Sequence, residues 1–239
     1  PLFFNFSIIF HLSFCLLLLS RPDNLPVMAM KVLGISASPR LKGNSDLLLR
    51  QALAGAESAG AEVEYIRLAE LKISPCIECN ACYKTGRCVI EDDYQMLMQK
   101  TIDADRLIFA TPIFFMTVSA LAKLFIDRCQ CLWANKYVLK KPLIAPPCPL
   151  GAGRDRRAMV IAVGGSKSKK MFDSVRLTMK YFLDCLDMHY QANLFVNKID
   201  AQGTIEAHPC AANEAYRLGC ELASPSTPLS EKPLDVELI

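Results

Sequence analysis

A chain of 239 residues, 52% hydrophobic and 21% charged, has enough apolar surface to bury a core of its own, which sets aside disorder and the small disulfide-stapled scaffolds. Its formal net charge of +3 is too slight for the concentrated basic face that nucleic acid requires.

Pro1 to Leu19 carries no charge and by hydropathy alone reads as a membrane or signal segment. No Lys or Arg precedes the apolar run, no small-x-small cleavage site follows it, and Met28 and Met30 stand directly before the first strand pattern. Residues 1–29 are therefore expected to lie outside the fold as sequence upstream of the real start, with an anchor or a signal peptide as the alternatives. A membrane location is not expected.

From Met30 the pattern alternates. KVLGIS at Lys31–Ser36 predicts a strand, and a turn-rich stretch leads into Ser45–Ala59, where Leu49, Leu53, Ala56 and Gly60 share one helical stripe. Val63–Leu68 predicts a second strand and 93–102 a helix. The continuous apolar run RLIFAT at 106–111 predicts a buried strand, after which Val118, Leu121, Ala122, Phe125 and Cys129 stripe another helix. AMVIAV at 158–163 is a fourth strand ending in Gly164-Gly165; 169–187 predicts a long helix, 194–197 a short fifth strand and 213–222 a last helix. Strands alternating with helices imply a parallel sheet covered on both faces. The proline-bearing stretch between Trp133 and Arg157 is a connector, a lid or an oligomer contact, and the tail at 223–239 is expected to be loose.

Cys76, Cys79, Cys82 and Cys88 form a C-x2-C-x2-C-x5-C run. Thiolates this close can grip one compact soft-metal centre, and the successive short spacings suit an iron–sulfur cubane. A structural zinc site usually joins two such pairs across a longer loop, and disulfides need an oxidising compartment. The remaining cysteines show no pairing rhythm and fit reduced thiols in a cytoplasmic protein. His11, His189 and His208 lie far apart, so side-chain acid–base catalysis is not indicated, in keeping with chemistry carried by cofactors.

Ligands of an open α/β sheet bind beyond the carboxyl ends of the strands. After the first strand, SASPRLKGNS runs straight into a helix start, offering hydroxyls, free amides and an arginine to a phosphate monoester. Neither G-x-G-x-x-G nor G-x4-G-K-[ST] is present; an ordinary helix cap is the plain alternative. After the third strand, TPIFFMT could wall a flat aromatic ring, with core packing as the alternative for its phenylalanines. Between Lys136 and Lys170 basic residues face Asp155 alone, which describes a solvated face or a dock for an acidic redox partner or a phosphorylated cofactor.

These loops together resemble a known family. I-S-A-S-P-R-L-K-G-N-S is similar to the phosphate loop of the NADPH-dependent FMN reductase group of flavodoxin-like proteins, and T-P-I-F-F followed by A-L-A-K-L-F-I-D-R to its second flavin loop. With the cysteine run, the chain resembles the iron–sulfur flavoproteins of that group over about residues 30–222. The resemblance implies a flavodoxin-like three-layer sandwich with a five-stranded parallel sheet in the order 2-1-3-4-5, carrying a cluster loop at 74–92. It implies that Ser36, Ser38, Arg40, Asn44 and Ser45 hold the FMN phosphate and that Pro112, Ile113, Phe114, Phe115 and Met116 lie along the isoalloxazine. Gly164-Gly165 would close the other side, and Cys76, Cys79, Cys82 and Cys88 would ligate a [4Fe-4S] cluster. The implied activity is electron exchange between a ferredoxin-like donor or NAD(P)H and a small-molecule acceptor, in a cytoplasmic homo-oligomer. A plain NAD(P)H-dependent flavin or quinone reductase whose cysteine loop binds zinc or nothing, and a redox-sensing flavoprotein, are the alternatives. Ala37, Ser45 and Phe114 depart from the family's usual Gly, Thr and Tyr.

Overall fold

The computed structural model describes residues 29–141, 143 and 155–238; the expectations for residues 1–28 and for most of the proline-bearing connector lie outside them. Six strands, β1 (Lys31–Ser36), β2 (Glu62–Arg67), β3 (Arg106–Phe114), β5 (Arg157–Val163), β6 (His189–Val196) and β7 (Leu234–Leu238), pair in parallel in the order β2-β1-β3-β5-β6-β7. A two-residue strand, β4 (Thr117–Val118), folds back antiparallel on the end of β3.

Alternation along β1 sends Leu33 and Ile35 to one face and Val32 to the other, as the period of two requires. Helices α1 (Asn44–Ser58) and α7 (Ala211–Ala223) cover the second face. α3 (Tyr94–Asp103), α4 (Ala120–Arg128) and α6 (Met171–Cys185) cover the first, with Phe109, Phe125 and Phe182 edge-to-face at its centre. Gly55 and Gly219 let α1 and α7 touch backbone to backbone: a Cβ at Gly219 would lie 1.9 Å from the Ala52 carbonyl oxygen. This is the flavodoxin-like three-layer sandwich, and its first five parallel strands follow the expected order.

Two expectations need correction. The parallel sheet has six strands rather than five, because the tail expected to be loose returns as edge strand β7. Val236 and Leu238 pack on the core, while Asp235 accepts Asn193 Nδ2–H at 2.7 Å and, with Glu237, pairs with Arg176. The alternation of LDVEL carries the strand, and the prolines upstream conceal it. The fifth strand is also longer than its apolar run, since β6 opens on half-buried His189, Tyr190 and Gln191. Among the described residues no helix is long and apolar enough to cross a membrane.

Candidate functional site

The loops after β1, β3, β5 and β6 meet at the carboxyl edge of the sheet around an open crevice, where open α/β sheets bind their ligands. Ser38, Arg40, Asn44, Ser45, Pro112, Ile113, Phe114, Gly164 and Gly165 all line it, as do Gly43 and Asp200.

α1 begins at this crevice without a side-chain cap on Gly43, so its first amides remain available to an anion. The Ser45 hydroxyl is buried there with no hydrogen-bond partner. Ser38 donates to the Arg40 carbonyl at 3.0 Å and accepts the Arg40 amide at 3.2 Å, which closes the loop into a turn. Asn44 is committed elsewhere: its Nδ2–H donates to the Ala201 carbonyl at 2.8 Å, tying the loop after β6 to the crevice. A Cβ on Gly43 would sit 2.4 Å from Ser38 Oγ, and one on Gly165 2.9 Å from Asp200 Cβ. An orphaned hydroxyl, an uncapped helix start and a cradle that side chains would fill are what an FMN phosphate and the edge of its ring require. Ala37 is fully buried and its φ is not positive, so the absence of glycine costs nothing there.

Three predicted residues stand apart from this crevice. Ser36 shares the face of Val32 beneath α1, close to Tyr65, and its buried hydroxyl has no hydrogen bond. Burial and the Asp46 hydrogen bond push that Tyr65 phenol up to about 12; Asp46 also binds Arg50 and so anchors the start of α1. Phe115 and Met116 form the tip of the β3–β4 hairpin with φ of 46° and 63°. Two residues of positive φ match a type I′ turn, which stands Phe115 fully into solvent at 102% exposure. Ser119 fastens the hairpin to the phosphate loop, donating to the Ala37 carbonyl at 2.8 Å while it caps α4.

Cys76, Cys79, Cys82 and Cys88 gather around a second cavity with Arg128, Gln130 and Cys131. Glu78 and Asn80 on either side of Cys79 have positive φ, bending the backbone about it. Cys82 opens a short turn of helix, α2 (Cys82–Thr85), which Gly86 ends in the left-handed region; Asn135 Nδ2–H holds the Gly86 carbonyl at 2.7 Å. Burial pushes the Cys82 thiol up, and Cys131, Cys79 and Cys76 add to that by proximity. A cation among these sulfurs would reverse the effect, so the donor set suits a soft metal or cluster. Among the described residues, no three His, Cys, Asp or Glu side chains already stand at metal-binding distance.

Sequence reasoning missed Arg128, Cys131 and Asp200. Arg128 lies within the quoted A-L-A-K-L-F-I-D-R run, whose spacing says nothing of what its last residue touches; Asp200 has no local signal. α4, nine residues long, reaches both sites, with Ser119 at the phosphate loop and Arg128 at the cysteine cavity. Its rise separates those ends by about 13 Å.

Residues 30–199 match the family model for NADPH-dependent FMN reductase. An iron–sulfur flavoprotein of Methanocaldococcus jannaschii is 35% identical over 157 residues, 64% of this chain and 72% of that protein. One from Archaeoglobus fulgidus is 39% identical over 99 residues, covering 41% of this chain and 45% of the relative. Among solved structures, an NAD(P)H:quinone oxidoreductase from Methanothermobacter marburgensis superposes with a TM-score of 0.61 at 18% identity, over 82% of this chain and 97% of that one. A flavone reductase gives 0.60 at 23% identity, over 86% and 66%. At these identities the structural likeness carries the fold and nothing finer.

Proposed function

Because this chain belongs to the NADPH-dependent FMN reductase family and is an FMN-dependent oxidoreductase, we propose that it is a two-centre electron-transfer enzyme with FMN in the crevice and a [4Fe-4S] cluster on Cys76, Cys79, Cys82 and Cys88. The observation that carries this reading is the convergence of all four cysteines on one cavity, at the far end of the helix that also fastens the phosphate loop. When bound, FMN supplies two-electron and one-electron chemistry and the cluster supplies single electrons.

The chain's own contribution is position and exclusion. The first-turn amides of α1, Ser45 and Arg40 would hold the phosphate; Pro112, Ile113 and Phe114 would wall the ring on one side and Gly164-Gly165 on the other. Asp200 and the Asn44 tie would close the crevice below Gly165. Ser36, Phe115 and Met116, expected along the FMN, do not line the crevice. A ferredoxin-like donor or NAD(P)H would feed a small acceptor. The exposed row of Tyr83, Trp133 and Tyr137 beside the cysteine loop supports a homo-oligomer, and a reducing cytoplasm would keep the free thiols intact.

Anaerobic reconstitution followed by iron, sulfide and zinc counts with a visible spectrum tests the reading. Four irons per chain are expected beside one FMN; FMN with zinc, or with no metal, would return the protein to a plain flavin or quinone reductase. Turnover with reduced ferredoxin against NADH and NADPH then identifies the donor.

A further inference from the structure

The Arg128 side chain is fully buried inside the cysteine cavity, and a charge so placed must be paired. It donates to the Ser74 carbonyl at 2.8 Å, the Ile90 carbonyl at 2.9 Å and the Asp92 carboxylate at 2.7 Å. Ser74 lies just before Cys76 and Ile90 just after Cys88, so one guanidinium pinches the loop at its base. Asp92 completes the tie by accepting the amides of Ser74 at 2.8 Å and Tyr94 at 3.0 Å. The cation also rests 4.5 Å from the Tyr94 ring centroid. Nε–H is buried without a partner, and Cys88 lines the same cavity as the guanidinium.

We propose that Arg128 is the positioning residue of the cysteine loop. With Asp92 it clasps the two ends of the loop whether or not metal is bound, and it sets a positive charge in the cavity that Cys88 also lines. There that charge would favour the more negative reduced form of a bound cluster, because nearby positive charge raises the potential. Lysine cannot reproduce the clasp, since a single ammonium has no fork to span three acceptors. The role of the Arg128 charge rests on the iron–sulfur reading; the clasp does not.

Hydrogen exchange on the metal-free protein tests the clasp. In Arg128→Met and Asp92→Asn the amides of 74–92 should exchange at least about tenfold faster than in the wild type, the loss of one charge-assisted bond, with β1 and β3 unchanged. Wild-type exchange in Asp92→Asn overturns the clasp, and so does acceleration spread evenly over the sheet. The second readout is the reduction potential of the reconstituted cluster. It should move to more negative values in Arg128→Met and come part of the way back in Arg128→Lys, which keeps the charge. Equal potentials in all three proteins overturn the role of the charge, as does a wild type that takes up no iron; the exchange result decides the clasp in either case.

Discussion

Gly43→Ala isolates the part that space plays in the phosphate loop. Gly43 has φ −67° and ψ 161°, a conformation alanine adopts freely, so the cost is steric. The new Cβ would lie 2.4 Å from Ser38 Oγ and 3.3 Å from the Arg40 carbonyl oxygen. Ser38 Oγ cannot swing away without breaking both of its hydrogen bonds to Arg40. At about 0.5–1.5 kcal/mol each, the pair amounts to about 1–3 kcal/mol, which FMN binding must supply again to order the loop. Titration of apo-protein with FMN, followed by flavin fluorescence, should show affinity weakened roughly five- to a hundredfold. Ser38→Ala loses the same two bonds but vacates the space, so the Ser38→Ala/Gly43→Ala double variant should bind FMN no more weakly than Ser38→Ala alone. Wild-type affinity in Gly43→Ala, or costs that simply add in the double variant, would refute the reasoning.

Ser45→Ala should split stability from binding. Removing a buried, unpartnered hydroxyl leaves the apo-protein as stable or up to about 1 kcal/mol more so, yet weakens FMN binding roughly tenfold; a drop in apo melting temperature would count against it. For Asp92, burial alone would raise the carboxyl, but the Arg128 bond and the Ser74 and Tyr94 amides outweigh it and hold the group below its ordinary 3.8. A depressed folded value means stability that is full above the unfolded value and lost as pH falls through the folded one. Protection at 74–92 should therefore decline below about pH 4 before the sheet loses any, and simultaneous loss would contradict it. Arg176→Gln removes the ion pairs to Asp235 and Glu237. Because Arg176 is 27% exposed, the cost should be about 1 kcal/mol, seen as faster exchange confined to 234–238 with FMN affinity unchanged.

The α/β alternation and the residues of three loops were legible in the sequence because each depends on neighbours in the chain; the strand order was implied by the family resemblance. The short apolar runs in KVLGIS and AMVIAV fit strands covered on both faces, and the cysteine spacing is a local fact. Ser38, Ser45, Pro112 and Gly164 reach the crevice because strand ends carry them there. Ser36 looked equivalent to Ser38 as text, but it lies within the strand, where the period of two turns it under α1. Phe115 and Met116, expected along the ring, stand at the exposed tip of a two-residue hairpin, which spacing along the chain does not show.

What the sequence alone determined was the cysteine run, the residues of the loops and the alternation of strands and helices that would carry them. Only the tertiary structure decided what holds those loops in place. Arg128 is far along the chain from Ser74, and Asn44 from Ala201, so neither tie leaves a mark in local spacing. A buried guanidinium or amide must find acceptors wherever the packed elements present them, and which acceptors those are is a property of the fold.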